Sequence, residues 1–413
     1  MRNSKGFTLV EMLVAMGIFM VVLVMGSYAF ERVLSSTGQQ TRSAQSNFEG
    51  IVGLEMLRYD VEHAGYGLAW GFQNYAGPIK FGNLGGSADQ ETVLAENVPA
   101  NGMDSTTLNA VLSNNIQAFT AGTCSKEANN ATVANAAGGP DYLVVRSTNS
   151  ALSDSARKWT YVNYSTDSVA NISFLKSWGT ADSLTSADRF VTVRSTFTSA
   201  GKEDKILLMD ALDNFEVTLT GGGAMPSGDS FKPADHSQVV VAYGVRPAAL
   251  SALRMPYNRT DFYVSRPVDG MPQHCNPGTG ILYKAMVNHA NGELDTPYPL
   301  LDCVGDLQLE FEYDANDDGN ISYLPPASLS ALSAEEIRSH LKNVRIYVLA
   351  QEGKMDRSFN YPTDTIQVGD KGRPSSSGRT LSSTEMSTLF TADWRKYRWK
   401  IYTIVTRPKN LVQ

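Results

Sequence analysis

From Phe7 to Phe30 the chain runs for 24 residues with a single charge, Glu11. As a helix this run extends roughly 36 Å, more than the hydrocarbon thickness of a bilayer. Arg2 and Lys5 precede it, and Glu31 and Arg32 follow. The positive-inside rule therefore leaves the N-terminus cytoplasmic and sends the rest outside. After a polar interval, Phe48, Ile51, Val52, Met56 and Tyr59 return at helical spacing, with Leu54, Leu57 and Val61 widening the stripe. No proline occurs before Pro78, and Gly65 and Gly67 supply a stop. The pattern predicts one helix from Phe7 to about Ala64, roughly 87 Å long. The alternative is two helices broken near Ser35-Ser36-Thr37-Gly38.

Beyond Gly65 the period changes from 3.6 to 2. Strands are predicted at Tyr142 to Arg146, Trp159 to Tyr164, Phe190 to Phe197, Phe215 to Thr220, Gln238 to Val245, Gly280 to Met286, Leu307 to Tyr313, Val344 to Leu349 and Arg398 to Val405. Leu307, Leu309, Phe311 and Tyr313 alternate with Gln308, Glu310 and Glu312, the pattern of a strand with one wet face. Gly221 to Gly228, Pro325 to Ser333 and Gly369 to Ser383 read as connections, and Ala128 to Gly139 as a long loop. Ala334 to Lys342 reads as a short helix. The expected fold is α+β, a long N-terminal helix on a mainly antiparallel β lobe: residues 7–30 span the membrane, 31–64 continue the helix, and 65–413 form the lobe.

Composition narrows the function. The 413 residues are 42% hydrophobic and 19% charged, ordinary globular values that exclude long disorder, collagen and a many-span membrane protein. The net charge of −7 argues against a broad nucleic-acid surface, so nucleic acid is not among the expected partners. One local candidate for an anionic polymer is Trp394-Arg395-Lys396-Tyr397-Arg398-Trp399-Lys400, where cations and aromatic rings interleave. The competing reading is the wet face of a final strand.

No catalytic constellation is legible. His63, His236, His274, His289 and His340 lack HExxH spacing, and there is no GxSxG or Walker A sequence. Gly65-x-Gly67 ends a helix where a dinucleotide fingerprint must open one. Glu335-Glu336 read as a solvated helix start. The chain is expected to be non-enzymatic.

Two other features carry chemistry. Asp314, Asn316, Asp318, Asn320 and Ser322, with Gly319 at the turn, match the first nine positions of a calcium loop. Pro325 occupies the position of the usual bidentate Glu, leaving Glu312 or Glu335 to supply that ligand. The alternative is an Asx-rich turn without metal. Calcium is the one cofactor expected. In an oxidising compartment Cys275 and Cys303 can close a loop worth about 3–4 kcal/mol in the chain-entropy account. A pairing through Cys124, or three free thiols, are the alternatives.

Glu11 is the sharpest residue. An ionised carboxylate deep in a bilayer costs on the order of 2.5–3.5 kcal/mol, so it needs a partner or an interface. Lys5-Gly6-Phe7-Thr8-Leu9-Val10-Glu11 resembles the prepilin-peptidase motif of type IV pilins and type II secretion pseudopilins. The resemblance implies removal of residues 1–6 as a leader after Gly6, N-methylation of Phe7, and pairing of Glu11 with the N-terminal ammonium of a neighbouring subunit. Leader removal changes the charge balance to 33 − 42 = −9.

Met56-Leu57-Arg58-Tyr59-Asp60-Val61-Glu62-His63-Ala64-Gly65-Tyr66-Gly67 is similar to the first-helix end of minor pilins of the PilW type. The Asp-rich loop after Tyr313 and the closing Ile401 to Asn410 resemble later islands of that family. The family implies an inner-membrane subunit with an external lobe that helps initiate pilus assembly and sits at the tip. Its implied partners are prepilin peptidase, other minor pilins, the major pilin, a tip adhesin and membrane lipid. A J-type pseudopilin of type II secretion is the related alternative, and a binding domain exported by a pilin leader the more distant one.

Overall fold

The computed structural model describes residues 8–68, 117–123, 139–150, 153–162, 188–197, 203–207, 217–218, 239–247, 257–267, 270–287, 294–329, 331–370 and 378–411. Helix α1 spans Leu9–Glu62 without a break, 54 residues and about 81 Å. The two-helix alternative therefore does not hold. Its start is set by a capping box between Thr8 and Glu11, and its end by Gly65 and Gly67 at φ 78° and 72°.

The main sheet is antiparallel, in the order β1 (Phe119–Thr123), β2 (Asp141–Ser147), β8 (Asn258–Ser265), β9 (Gly280–Met286), β10 (Tyr298–Tyr313), β12 (Leu341–Glu352) and β15 (Arg398–Thr406). β11 (Ser322–Leu324) pairs with β10. A second antiparallel sheet joins β3 (Trp159–Val162), β7 (Val239–Pro247), β4 (Asp188–Phe197) and β5 (Glu203–Leu207), with β6 (Val217–Thr218) on β4. The expected strand at Phe215 to Thr220 is described only as β6. Asn163, Tyr164 and Gln238, most of Ala128 to Gly139, and Gly221 to Gly228 lie outside the described residues.

α1 lies on one face of the main sheet. Leu54, Leu57 and Val61 pack into the same core as Leu307, Leu309 and Phe311 of β10, Val344, Ile346 and Val348 of β12, and Tyr402 and Ile404 of β15. The opposite face carries a second layer: the hairpin β13 (Thr365–Val368) with β14 (Arg379–Ser382), the Ser383–Phe390 helix and Trp394, gathered around Tyr347, Leu349 and Trp399.

That layer overturns one expectation. Gln308, Glu310 and Glu312 are buried, at 6%, 1% and 5% exposure, and are not a wet face. They survive burial because each finds a partner: Gln308 donates to Asp306, the Tyr347 hydroxyl approaches Glu310, and Glu312 meets Asn343 and Arg345. Gly369 to Ser383 is likewise not wholly a connection, since it contains β14. The Pro325 to Ser333 connection holds a short helix, Pro326–Leu329. The Ala334–His340 helix is capped by Ser333 and Glu336. It ends at His340, two residues short of the expected Lys342, because Leu341 enters β12.

Candidate functional site

The first turn of α1 is a closed hydrogen-bond unit. Glu11 Oε2 accepts from the Thr8 amide at 2.9 Å and from Thr8 Oγ1 at 2.9 Å, while Thr8 Oγ1 accepts the Glu11 amide at 3.3 Å. The carboxylate is thus drawn toward the residue that follows Phe7. Among the described residues no hydrogen-bond donor meets its other oxygen, which can accept from a cation. Gly6 and Phe7 lie outside the described residues. From Leu9 to Glu31 the helix is long and apolar enough to cross a membrane, and none of this span is buried. Leu9, Phe19 and Met25 stand 81%, 66% and 67% exposed. Among the described residues nothing of the lobe covers this surface, which is consistent with a single-pass membrane anchor.

The other end of α1 is fixed by close packing and charge. Gly50 and Gly53 face the lobe on the stripe of Leu54 and Leu57. At Gly53 an added Cβ would fall 1.9 Å from the Leu300 carbonyl oxygen. Two turns on, Asp60 Oδ2 accepts from Lys284 Nζ of β9 at 2.5 Å, with both side chains buried. Burial pushes the Asp60 carboxyl up and Lys284 opposes that shift. At the last turn Lys409 donates its amide to the Glu62 carbonyl and its ammonium to the Glu62 carboxylate, each at 2.8 Å, and Arg58 also pairs with Glu62. The Lys409 hydrogen bond holds the Glu62 carboxyl below its ordinary range. Sequence reasoning missed Gly50, Gly53, Asp60 and Lys284. The available signal was a pair of glycines and an acid lying on the apolar stripe of a helix, where a solvent-facing role is excluded.

The Asp-rich loop closes on itself. Asp314 accepts the amides of Asp318 at 3.2 Å and Gly319 at 3.0 Å. Asp318 accepts the Asn320 amide and side-chain amide, both at 2.9 Å. The Asn320 amide keeps the Asp318 carboxyl low. Asp317, at φ 53°, pairs with Lys342 at 2.7 Å. Asn316, Asn320 and Ser322 are exposed. Of the two residues named to complete a calcium site, Glu312 is engaged by Asn343 and Arg345, and Glu335 is exposed in the first turn of its helix. Pro325 has no side-chain oxygen. In loops of this spacing backbone carbonyls and water complete the six to eight oxygens that calcium takes, and no part of the function below runs through calcium.

Cys275 and Cys303 form a disulfide, Cα to Cα 5.0 Å, with Cys124 outside the described residues. A thiolate at Cys275 is thereby unavailable to His274. The interleaved basic stretch is committed to its own chain: Arg395 pairs with Asp364, Arg398 with Asp356 and Lys400 with Glu352, while Lys396 donates to the Phe359 carbonyl. This is the arrangement of a solvated strand border, not of an open groove for an anionic polymer.

Beneath the second layer, Asp141 of β2 accepts from Thr123 Oγ1 at 2.7 Å and from the Leu309 amide at 2.8 Å. Asp306 accepts from the Leu307 amide at 2.9 Å and Gln308 Nε2 at 3.1 Å, with Arg379 Nη1 at 3.9 Å. Burial pushes the Asp141 carboxyl up to about 8. Thr123 and Leu309 oppose the shift, and nearby Asp306 adds to it.

Residues 1–27 match the family model described as the prokaryotic N-terminal methylation motif. No curated protein and no solved structure matches the chain. The motif makes the chain pilin-like at its N-terminus, a substrate of the pilin or pseudopilin kind.

Proposed function

We propose that this pilin-like chain is a minor pilin of the PilW type, a structural subunit that helps initiate type IV pilus assembly and sits at the pilus tip. Prepilin peptidase cleaves after Gly6 and Phe7 is methylated, which keeps the positive charge of the new N-terminus. The observation that carries the reading is the division of α1. Its first part is wholly exposed and apolar, with one hydrogen-bonded carboxylate in the opening turn, and its last part is clamped to a large β lobe.

The apolar part first anchors the subunit in the inner membrane with the lobe outside, then packs among other pilin helices. There Glu11 accepts the ammonium of a neighbour and sets the axial stagger. A lobe of this bulk suits a terminal place better than one repeated along a filament.

Deletion followed by microscopy of surface pili, with mass spectrometry of sheared filaments, tests the reading. Loss of pili, or recovery of the subunit at low abundance in filaments, supports it; normal pili without the subunit overturn it. A secretion defect with intact pili assigns the chain to a type II pseudopilus instead. In the same assay Glu11→Ala is expected to abolish incorporation while leaving the protein in the membrane.

A further inference from the structure

The two edges of the main sheet are treated differently. β1 is covered by the Pro326–Leu329 helix and by Gln117, which donates to the Leu332 carbonyl at 2.5 Å. β15 pairs with β12 on one side, and among the described residues no strand pairs with its other side. Its centre, Ile401-Tyr402-Thr403-Ile404-Val405-Thr406, carries no charge and is rich in β-branched residues. Thr403 is exposed and Val405 is 46% exposed. Natural edges of this kind are blunted by charge, proline or a covering element, and among the described residues such devices stand at the ends: Arg398 and Lys400 before the centre, Arg407, Pro408 and Lys409 after it. We propose that β15 is a docking edge that accepts an extended strand from a different pilin-type subunit, which adds to the main sheet by main-chain hydrogen bonding.

The chemistry of the edge defines the occupant. Only an extended backbone satisfies a row of amides and carbonyls. Tyr402 and Ile404 face the α1 core, and Thr403 and Val405 face away from it. The incoming strand must therefore alternate apolar residues on the α1 side with polar ones on the other. Arg398, Lys400 and Lys409 keep 45%, 42% and 64% of their side chains exposed although each has an internal partner. These cations favour acidic residues at the ends of the strand.

A second copy of this chain does not fit. Antiparallel pairing of β15 with itself places a two-fold axis perpendicular to the sheet, which reverses the α1 lying across it and points the two apolar ends in opposite directions. Parallel self-pairing places the two α1 helices on opposite faces of the joined sheet. Neither lets two α1 helices lie side by side in one membrane or filament. This argument rests on the pilus reading above.

The test uses the full-length protein in its own cells, with a photoreactive benzophenone amino acid placed at Thr403, at Val405, or at Ile321 as an exposed control. The expected result is an adduct from Thr403 and Val405 whose cross-linked peptide belongs to another protein with a prepilin leader and alternates apolar with polar residues. Ile321 should give none. Thr403→Lys and Val405→Lys, both at exposed positions, are expected to lower recovery in sheared filaments with an unchanged melting temperature. Ile321→Lys is expected to do neither. An adduct only between copies of this chain overturns the proposal, as does the absence of any adduct or normal incorporation of both lysine variants while the wild-type protein is present in filaments. Absence of the wild-type protein from normal pili overturns the pilus reading instead, so the two failures are distinguishable.

Discussion

The carbonyl oxygen of Leu300 lies 1.9 Å from the place a Cβ on Gly53 would occupy, so the backbone of β10 rests directly on the backbone of α1. Any side chain at Gly53 must push strand and helix apart, and the obstacle is main chain rather than a flexible tip. Gly53→Ala is therefore expected to destabilise the helix–lobe contact by about 1–3 kcal/mol, despite the better helix propensity of Ala. Gly26, where nothing lies within 4 Å, is the control, and Gly26→Ala should leave the melting temperature unchanged. Thermal unfolding of the two variants in detergent, with proteolysis near residue 60 as a second readout, checks this.

A second prediction concerns Asp60 and Lys284. Both side chains are nearly excluded from water, so removing one leaves an uncompensated buried charge. Lys284→Ala and Asp60→Ala are each expected to cost about 3–5 kcal/mol. The apolar double change Asp60→Val with Lys284→Met, which stays near the original side-chain volumes, should recover most of that loss, since a buried pair is often replaceable by apolar groups. Urea midpoints for the singles and the double check it. Additive losses would mean that the two residues do not act as a pair.

These two contacts mark where the sequence was readable and where it was not. α1 was legible as a helix because its signals are local, an apolar run and two glycines at positive φ. But its buried face is Leu54, Leu57 and Val61, while Ile51, Val52 and Tyr59 of the expected stripe are more than half exposed. The partners of Gly53 and Asp60 lie more than two hundred residues away, and no periodicity reports them. β10 shows the same limit. Its alternation was read correctly as a strand, but the fate of Gln308, Glu310 and Glu312 depended on a layer built from residues 365–399, parts of which look like a Gly- and Ser-rich connection. β8 was missed because Asn-Arg-Thr-Asp opens it, yet all eight of its residues are buried, with Arg259 and Asp261 neutralising each other at 2.8 Å. At the candidate site the same division holds. The motif around Gly6, Phe7 and Glu11 is contiguous and could be read directly, whereas the open edge of β15 is a property of sheet order alone.

The loop after Tyr313 gives a third prediction. Asp314 accepts two amides of an exposed turn, so Asp314→Ala removes two charge-assisted hydrogen bonds and should cost about 1–3 kcal/mol. If Asp314, Asn316 and Asp318 hold calcium, the melting temperature of the wild-type protein is expected to be higher in millimolar calcium than in excess EGTA, and an unchanged value removes calcium from the loop.

Asp141 sets the pH dependence of the lobe. Its carboxyl is pushed up from an ordinary value of 3.8 to about 8 by burial, with Asp306 adding to the shift and Thr123, Leu309 and Arg379 opposing it. The folded state therefore holds this proton more tightly than the unfolded chain does. The contribution is fully present below pH 3.8 and is lost as pH rises through about 8, so stability should fall with rising pH across that window. Asp141→Asn cannot ionise and keeps an acceptor for Thr123 or the Leu309 amide. Urea midpoints measured from pH 5 to pH 8.5 are expected to decline for the wild-type protein and to be flatter for Asp141→Asn, with the variant gaining most at the alkaline end. Parallel declines in the two proteins would place the titrating group elsewhere, and Asp306→Asn is then the variant that discriminates, since Asp306 is the acid whose charge acts on Asp141.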